Sequence, residues 1–365
     1  MTVVTLYWYL KNVVIQTREG QKLQIMFVPI IGVLFSLTKW EILSLEFSFP
    51  FMIRIFSYYL AFLLFDYSLK KNNYLLFLGV GIYIGFLIVF LSQLYWVALI
   101  MAILLVHIYH GCKMKIIDIK QIFLLWCPII IAVCIYFYII NVLFVYTNNS
   151  GLPANVFSLL SSIPLGVLYM LDGSIFHQSI LENLSSMVLI GVGVFLLFLC
   201  VFPLYMYIKS KTYLHTYLPL LIWSYGIFSI LAIVSGRGNT FGLFYLTSSR
   251  YSCDTSFVWV GVIMMLICMT QINKIDKSLF NLLSIFKFWM IAICIFIITI
   301  CSNIVEMKIA PYRGIYKDAC LNMILTYNQG NYSDDELKQL QGGVYEVKKG
   351  IYYLKKYSLN VFKAR

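Results

Sequence analysis

Stretches of about 16–22 mostly apolar residues alternate along the chain with short polar turns. A helical run of that length spans the hydrocarbon core of a bilayer, because each residue advances about 1.5 Å. Residues 23–37 are apolar but few and include Pro29 and Gly32, so they read as a span or as a helix lying in the interface. Residues 51–65 form the next run, with Arg54 near its first end, and 66–73 read as a basic turn. Residues 74–108 stay apolar for about 35 positions. One helix of that length would reach roughly 50 Å, so two short spans meeting near Ser92 and Gln93 are expected. Residues 121–145 follow, with Pro128 as a kink.

The second half repeats the pattern with one interruption. Residues 146–182 make the longest internal loop and contain neither lysine nor arginine. Within it, 156–171 are apolar but broken by Pro164 and Gly166, which suggests a re-entrant or interfacial segment more than a full span. Spans are expected at 185–208, 217–234, 255–269 and 288–304, with a polar loop at 235–254. The fold class expected is all-α: a polytopic integral membrane protein of about 8–10 transmembrane helices with a short helical C-terminal tail. The membrane domain runs over 1–305, with outer loops at 146–182 and 235–254, and the tail over 306–365. In the tail, Ser333 followed by Asp334, Asp335 and Glu336 is a helix start, Gly342 and Gly343 are a break, and 344–362 a second helix with Val344, Val347, Ile351 and Leu354 on one face.

Composition agrees with the runs. The 365 residues are 61% hydrophobic and 12% charged, more apolar surface than one soluble core needs at this length. The net charge of +12 does not point to nucleic acid, because the lysines sit in alternate short turns and form no basic face with interleaved aromatics. Thirteen of these cations belong to one set of turns, and the other set holds only Lys39, Arg237 and Arg250. The positive-inside rule makes the first set cytoplasmic, so the arginine loop, the lysine-free loop and the tail face outward. The nine cysteines form no CxxC pair and lie mostly inside apolar runs; Cys253 and Cys320 are a weak candidate pair on the outer side. No cleavable signal peptide is expected at 1–16, which Lys11 interrupts.

Candidate chemistry concentrates in the loop at 235–254. Arg237 and Arg250 are two of six arginines in the chain, and a guanidinium at the membrane surface can grip a phosphate or carboxylate by two hydrogen bonds. Pairing with Asp254 or with helix C-terminal carbonyls is the structural alternative. Ser248, Ser249 and Tyr251 add hydrogen-bonding groups suited to a sugar or phosphate. Asp172 and His177, just after the interfacial segment, are candidates for acid–base work or plain polar loop residues. Carboxylates and histidines do not cluster, so no metal and no cofactor are expected.

Arg250, ten residues and then Gly261 resemble the Arg-x10-Gly element in outer loops of the Wzy family, the polymerases of O-antigen and related polysaccharides. That family shows such elements in two outer loops, and the second long loop here has no arginine. The resemblance implies a bacterial inner-membrane protein with a periplasmic tail and an undecaprenyl-pyrophosphate-linked oligosaccharide as substrate, with the bilayer and other polysaccharide-assembly proteins as partners. Arg237, Arg250, Ser249, Tyr251 and Asp254 would bind substrate, and Asp172, His177 and Arg250 would serve catalysis. The wider pattern, Gly236-Arg237 through Ser248-Ser249-Arg250-Tyr251 before a span, also resembles large bacterial membrane proteins similar to GT-C glycosyltransferases, as does the tail ending Tyr357-Ser-Leu-Asn-Val-Phe-Lys363. Those enzymes use an acidic residue in the first outer loop, here Glu41 or Glu46, or Glu19 if the N-terminus is outside, to transfer a sugar from polyprenyl phosphate. A transporter of polysaccharide or lipid is a third class. It would need ionisable residues near the bilayer centre, and the spans contain only Arg54, close to one end.

Overall fold

The computed structural model describes all residues except 16–19, 41–47, 92–94, 115–117, 144–155, 273–281, 328–331, 339, 341–343 and 359–365. The described residues are helical, with no strand among them. Two compact units result, residues 1–303 and 304–365. In the first lie α1 (Thr2–Tyr9, continued by a π-turn over Leu10–Ile15), α2 (Gly20–Leu34), α3 (Ser48–Lys71), α4 (Tyr74–Phe90), α5 (Trp96–Met114), α6 (Ile119–Leu143), α7 (Val156–Ile175), the short α8 (Gln178–Leu181), α9 (Ser186–Lys209), α10 (Leu218–Phe241), the short α11 (Ser252–Thr255) and α12 (Phe257–Ile272). Helix α13 (Leu282–Thr326) begins in this unit and continues past its boundary. The second unit adds α14 (Asp334–Lys338) and α15 (Val344–Lys356).

Seven of the described helices are long and apolar enough to cross a membrane, and three shorter apolar helices accompany them. The burial pattern is that of a protein in lipid. Ile82, Phe86, Phe90, Ile130, Ile131 and Phe198 are exposed on their helices, whereas a soluble monomer rarely exposes contiguous apolar surface on that scale. At the centre is α12, whose residues from Phe257 to Met269 are all buried. A helix apolar on every side belongs inside.

Close crossings explain how short helices pack. Gly261 of α12 lies over α10, where a Cβ would meet the Trp223 backbone N at 2.7 Å and Cα at 2.8 Å; reciprocally, a Cβ on Gly226 would meet Val258 N at 2.5 Å. Gly81 and Gly85 of α4 lie against the Leu125 and Pro128 carbonyls of α6 in the same way. Small residues let backbones approach where no hydrophobic force draws helices together in lipid. Gly261→Ala is expected to lower stability by about 1–3 kcal/mol through overpacking; an unchanged thermal unfolding midpoint in detergent would show that the crossing tolerates the methyl group.

Several expectations are met and several corrected. Two helices stand in 74–108, the first ending at Phe90 and the second starting at Trp96; Ser92 and Gln93 lie outside the described residues. The basic turn at 66–73 does not form: α3 continues to Lys71, so Asp66 is helical, and Asn72 in the left-handed region (φ 52°) with Asn73 as N-cap makes the turn. The N-terminal residues form a helix that the polar positions in 1–22 concealed, with Leu6, Tyr9, Leu10 and Ile15 buried. Helix α10 runs seven residues beyond the expected end at 234, until Gly242 (φ 84°) ends it. Helix α13 does not stop at 304. All nine cysteines are free thiols, so Cys253 and Cys320 are not bonded.

The ends of the first unit differ in chemistry. At the lysine end, Asp66 is fully buried and accepts hydrogen bonds from the Tyr9 hydroxyl (2.5 Å), the Tyr217 backbone N–H (2.5 Å) and Thr216 Oγ1 (2.8 Å), with Lys70 Nζ at 3.5 Å. This carboxylate ties α1, α3 and the start of α10 together, and its oxygens are satisfied as a buried charge requires. On the exposed turn before α6, the Tyr74 hydroxyl donates to Asp118 (2.8 Å) and holds its carboxyl below the usual carboxylate range. In the second unit, Ser333 and Glu336 form a reciprocal capping box: Ser333 N–H donates to Glu336 Oε2 (2.7 Å), and Glu336 N–H to Ser333 Oγ (3.3 Å). The Ser333 N–H and hydroxyl, both donating to the Glu336 carboxyl, hold it below its ordinary value.

Candidate functional site

The opposite end, called here the arginine end, gathers residues from five parts of the chain around the turn after α10. Its centre is an ion pair that joins residues 200 positions apart. Arg54 Nη2 lies 2.7 Å from Asp254 Oδ2, with the two side chains 2% and 1% exposed. The Tyr225 hydroxyl donates to the other oxygen of Asp254 at 2.6 Å. The Arg54 guanidinium lies 4.1 Å from the centre of the Tyr95 ring and 5.0 Å from that of Phe51. Such contacts are attractive because the ring face is electron-rich. Among the described residues, Arg54 Nε and Nη1 have no hydrogen-bond partner.

Lys39 is the second buried cation of this end. Its ammonium donates to the Val33 carbonyl (2.9 Å) and the Leu34 carbonyl (3.2 Å) in the last turn of α2, the negative end of that helix. The turn containing Lys39 is held against the arginine loop: Ser36 Oγ donates to Asn303 Oδ1 (3.0 Å), Leu37 N–H to the same oxygen (2.8 Å), and Ser252 Oγ to the Thr38 carbonyl (3.5 Å). The first unit thus ends, at Asn303, at the arginine end.

The loop itself is less a loop than expected. Arg237 is exposed on the extended α10 and lies within electrostatic reach of Tyr251. Beyond Gly242, residues 244–256 wind through short turns into α12, and their polar side chains are buried: Thr247, Ser249, Ser252, Asp254, Thr255 and Ser256. Arg250 Nη1 donates to the Tyr245 hydroxyl (3.1 Å) and Nε to Ser248 Oγ (3.2 Å), with the guanidinium 5.5 Å from the Tyr245 ring centre. The alternative of an Arg250–Asp254 pair is answered: Asp254 pairs with Arg54, and Arg250 is held by Tyr245 and Ser248. Tyr251 is buried edge-on to Tyr245 at 6.1 Å, and Ser249 contributes its carbonyl to Ser252 Oγ (2.6 Å). Gly261, the glycine of the Arg-x10-Gly spacing, lies on the α10–α12 crossing, so packing alone accounts for it.

The C-terminal half of α7 lies at the same end. A Cβ on Gly166 would meet Val234 and Leu246, and one on Gly173 would meet the Thr247 backbone at 2.6 Å. Both partners belong to the arginine end. Trp259 Nε1 donates to Ser174 Oγ (2.6 Å) and fixes α7 to the central helix. Asp172 is fully buried here, and both of its carboxylate oxygens lack a hydrogen-bond partner among the described residues. Burial raises its carboxyl to about 8. His177 caps α8: its Nδ1 accepts from Ser179 N–H (3.1 Å), while its backbone N–H donates to Ser302 Oγ (3.2 Å). The structure therefore brings Asp172, His177 and the arginine loop to one end. Glu19, Glu41 and Glu46 lie outside the described residues.

Sequence reasoning placed Lys39 on this side but missed its burial against the end of α2, and it missed Arg54 as a member of this end and Asp254 as its partner. Arg54 carried the one available signal, a cation inside an apolar run, which calls for a partner of opposite charge. No group of three or more histidine, cysteine or acidic residues able to hold a metal ion occurs among the described residues. No protein-family model, curated protein or solved structure matches the chain.

Proposed function

We propose that this chain is a bacterial inner-membrane polymerase of a lipid-linked surface polysaccharide, joining undecaprenyl-pyrophosphate-linked repeat units at the periplasmic face. The observation that carries the reading is the convergence, at the lysine-poor end, of Arg237 and Arg250 with Asp172 on the C-terminal half of α7. The acceptor hydroxyl attacks the anomeric carbon of the donor glycan. The bond from that carbon to the pyrophosphate oxygen breaks, the lipid pyrophosphate leaves with the electron pair, and the hydroxyl proton passes to Asp172. Arg237 and Arg250 hold the pyrophosphate and stabilise the charge that grows on it, with Ser249, Tyr251 and Asp254 shaping the floor. Fixed positive groups aimed at developing charge contribute on the order of 10²–10³ in rate. His177 fixes the turn after Asp172. The partners in this reading are the lipid-linked oligosaccharide, the bilayer and other polysaccharide-assembly proteins.

One observation favours a second reading, a GT-C-like glycosyltransferase that moves a single sugar from polyprenyl phosphate to O-antigen. The turn at Ser36–Lys39, which leads into residues 41–47 with Glu41 and Glu46, is bonded to the arginine loop through Thr38 and Ser252. A transporter gains less, since the buried charges of Arg54–Asp254 and Asp66 lie at the two ends and not midway.

A lipopolysaccharide banding gel from a deletion strain, complemented with wild type, Arg250→Lys or Arg250→Ala, tests the proposal. A ladder that collapses to one repeat unit without the gene, and that lysine fails to restore, is expected of a polymerase whose arginine grips phosphate by two hydrogen bonds. A ladder of unchanged length with altered serotype would overturn the polymerase reading in favour of the glycosyltransferase.

A further inference from the structure

Helix α15 has two unlike sides. Ile351 is buried and Val347 and Leu354 are half-buried, at the i, i+4, i+7 spacing of one helix face, and α14 packs against the helix. The rest of the surface is aromatic and basic. Tyr345, Tyr352, Tyr353 and Tyr357 are between 44% and 70% exposed, an unusual amount of ring surface for one short helix facing water. Between them stand Lys348, Lys349, Lys355 and Lys356, all exposed, with Lys348 Nζ 3.2 Å from Asp334 Oδ1 of α14. The ammonium of Lys349 lies 5.7 Å from the Tyr345 ring centre, and that of Lys356 lies 5.8 and 5.5 Å from the rings of Tyr352 and Tyr357. Rings and positive charges thus interleave on the side of the helix away from Val347, Ile351 and Leu354.

We propose that α15 rests on an anionic phospholipid surface, with its tyrosine rings at headgroup depth and Lys349, Lys355 and Lys356 against lipid phosphates. Amphipathic tyrosine rings favour the boundary between hydrocarbon and water, and lysines add attraction to anionic headgroups. A water-facing helix mixes both signs of charge, whereas α15 carries four lysines against one glutamate. The partner is lipid and not another protein because the first unit anchors the same polypeptide in a bilayer. That tether keeps a headgroup surface at high effective concentration. The inference does not depend on the proposed enzymatic activity.

Hydrogen exchange on the full chain, reconstituted singly in nanodiscs of phosphatidylglycerol or of phosphatidylcholine, tests it. Exchange across 344–356 should be slower by about tenfold or more in phosphatidylglycerol, because each lysine near an anionic surface adds attraction. High salt, or the combined change Lys349→Gln, Lys355→Gln and Lys356→Gln, should remove the difference. Tyr345→Ala with Tyr352→Ala keeps every charge and should weaken protection in both lipids, which separates ring insertion from a helix lost through charge substitution. Equal exchange in the two lipids, or protection that persists in the glutamine variant at high salt, would overturn the proposal and show that protein covers this face.

Discussion

Asp254→Asn should destabilise the protein by about 3–5 kcal/mol, the range for breaking a buried ion pair from one side. The cost comes from what remains. Arg54 stays charged at any accessible pH, is 2% exposed, and would keep only ring contacts with Tyr95 and Phe51 and an amide oxygen of weaker pull. Tyr225 would also lose the carboxylate that accepts its hydroxyl. Arg54→Met should cost a similar amount by stranding Asp254. The double change, Arg54→Met with Asp254→Leu, separates strut from site. A buried pair replaced by apolar groups of similar volume is often neutral or stabilising, so the double variant should unfold near the wild-type midpoint. If the pair only braces α3 against the arginine loop, polysaccharide ladders return with stability. If its field is needed by an anionic substrate, stability returns and the ladder does not. Equal stability of Asp254→Asn and wild type in a thermal melt in detergent would show that the pair is not coupled to folding.

Why this pair was invisible in the sequence is instructive. Hydropathy reports where lipid is, and it located the paired short helices in 74–108 from run length. Its breakers misled at 156–171, where Pro164 and Gly166 suggested an interrupted segment: one helix runs through both from Val156 to Ile175. Hydropathy does not report where helices end, because backbone hydrogen bonds continue into water once a helix is nucleated. Helix α10 therefore carries Arg237 on its last turns, α3 carries Asp66 inside the bundle, and α13 extends to Thr326, each beyond the apolar run. The tail's first helix was legible because a capping box is a local signal, with Ser333 and Glu336 three residues apart. Arg54 and Asp254 have no local signal. Only the fold sets α3 beside the start of α12, and 200 intervening residues carry no record of it in spacing or composition.

Asp172 yields the sharper functional test, because stability and activity should move in opposite directions. A buried polar group without a partner costs about 1–3 kcal/mol, and both oxygens of this carboxyl lack one among the described residues. Asp172→Leu, of similar volume, should therefore stabilise the protein by about 1–3 kcal/mol while lowering polymer formation on the order of 10²–10⁴, the usual contribution of a placed base. The pH dependence adds an independent readout. The folded-state carboxyl is raised to about 8, above its unfolded value, so the folded protein holds the extra proton. Stability should then fall as pH rises from the ordinary carboxylate range towards about 8, and the leucine variant should lose that slope. Activity should run the other way, rising through the same value as the base ionises, because only the carboxylate can take a proton from the acceptor hydroxyl. A leucine variant that is both more stable and fully active would strip Asp172 of its role and leave the reaction to groups outside the described residues. One that is less stable would show that the carboxyl has a partner there.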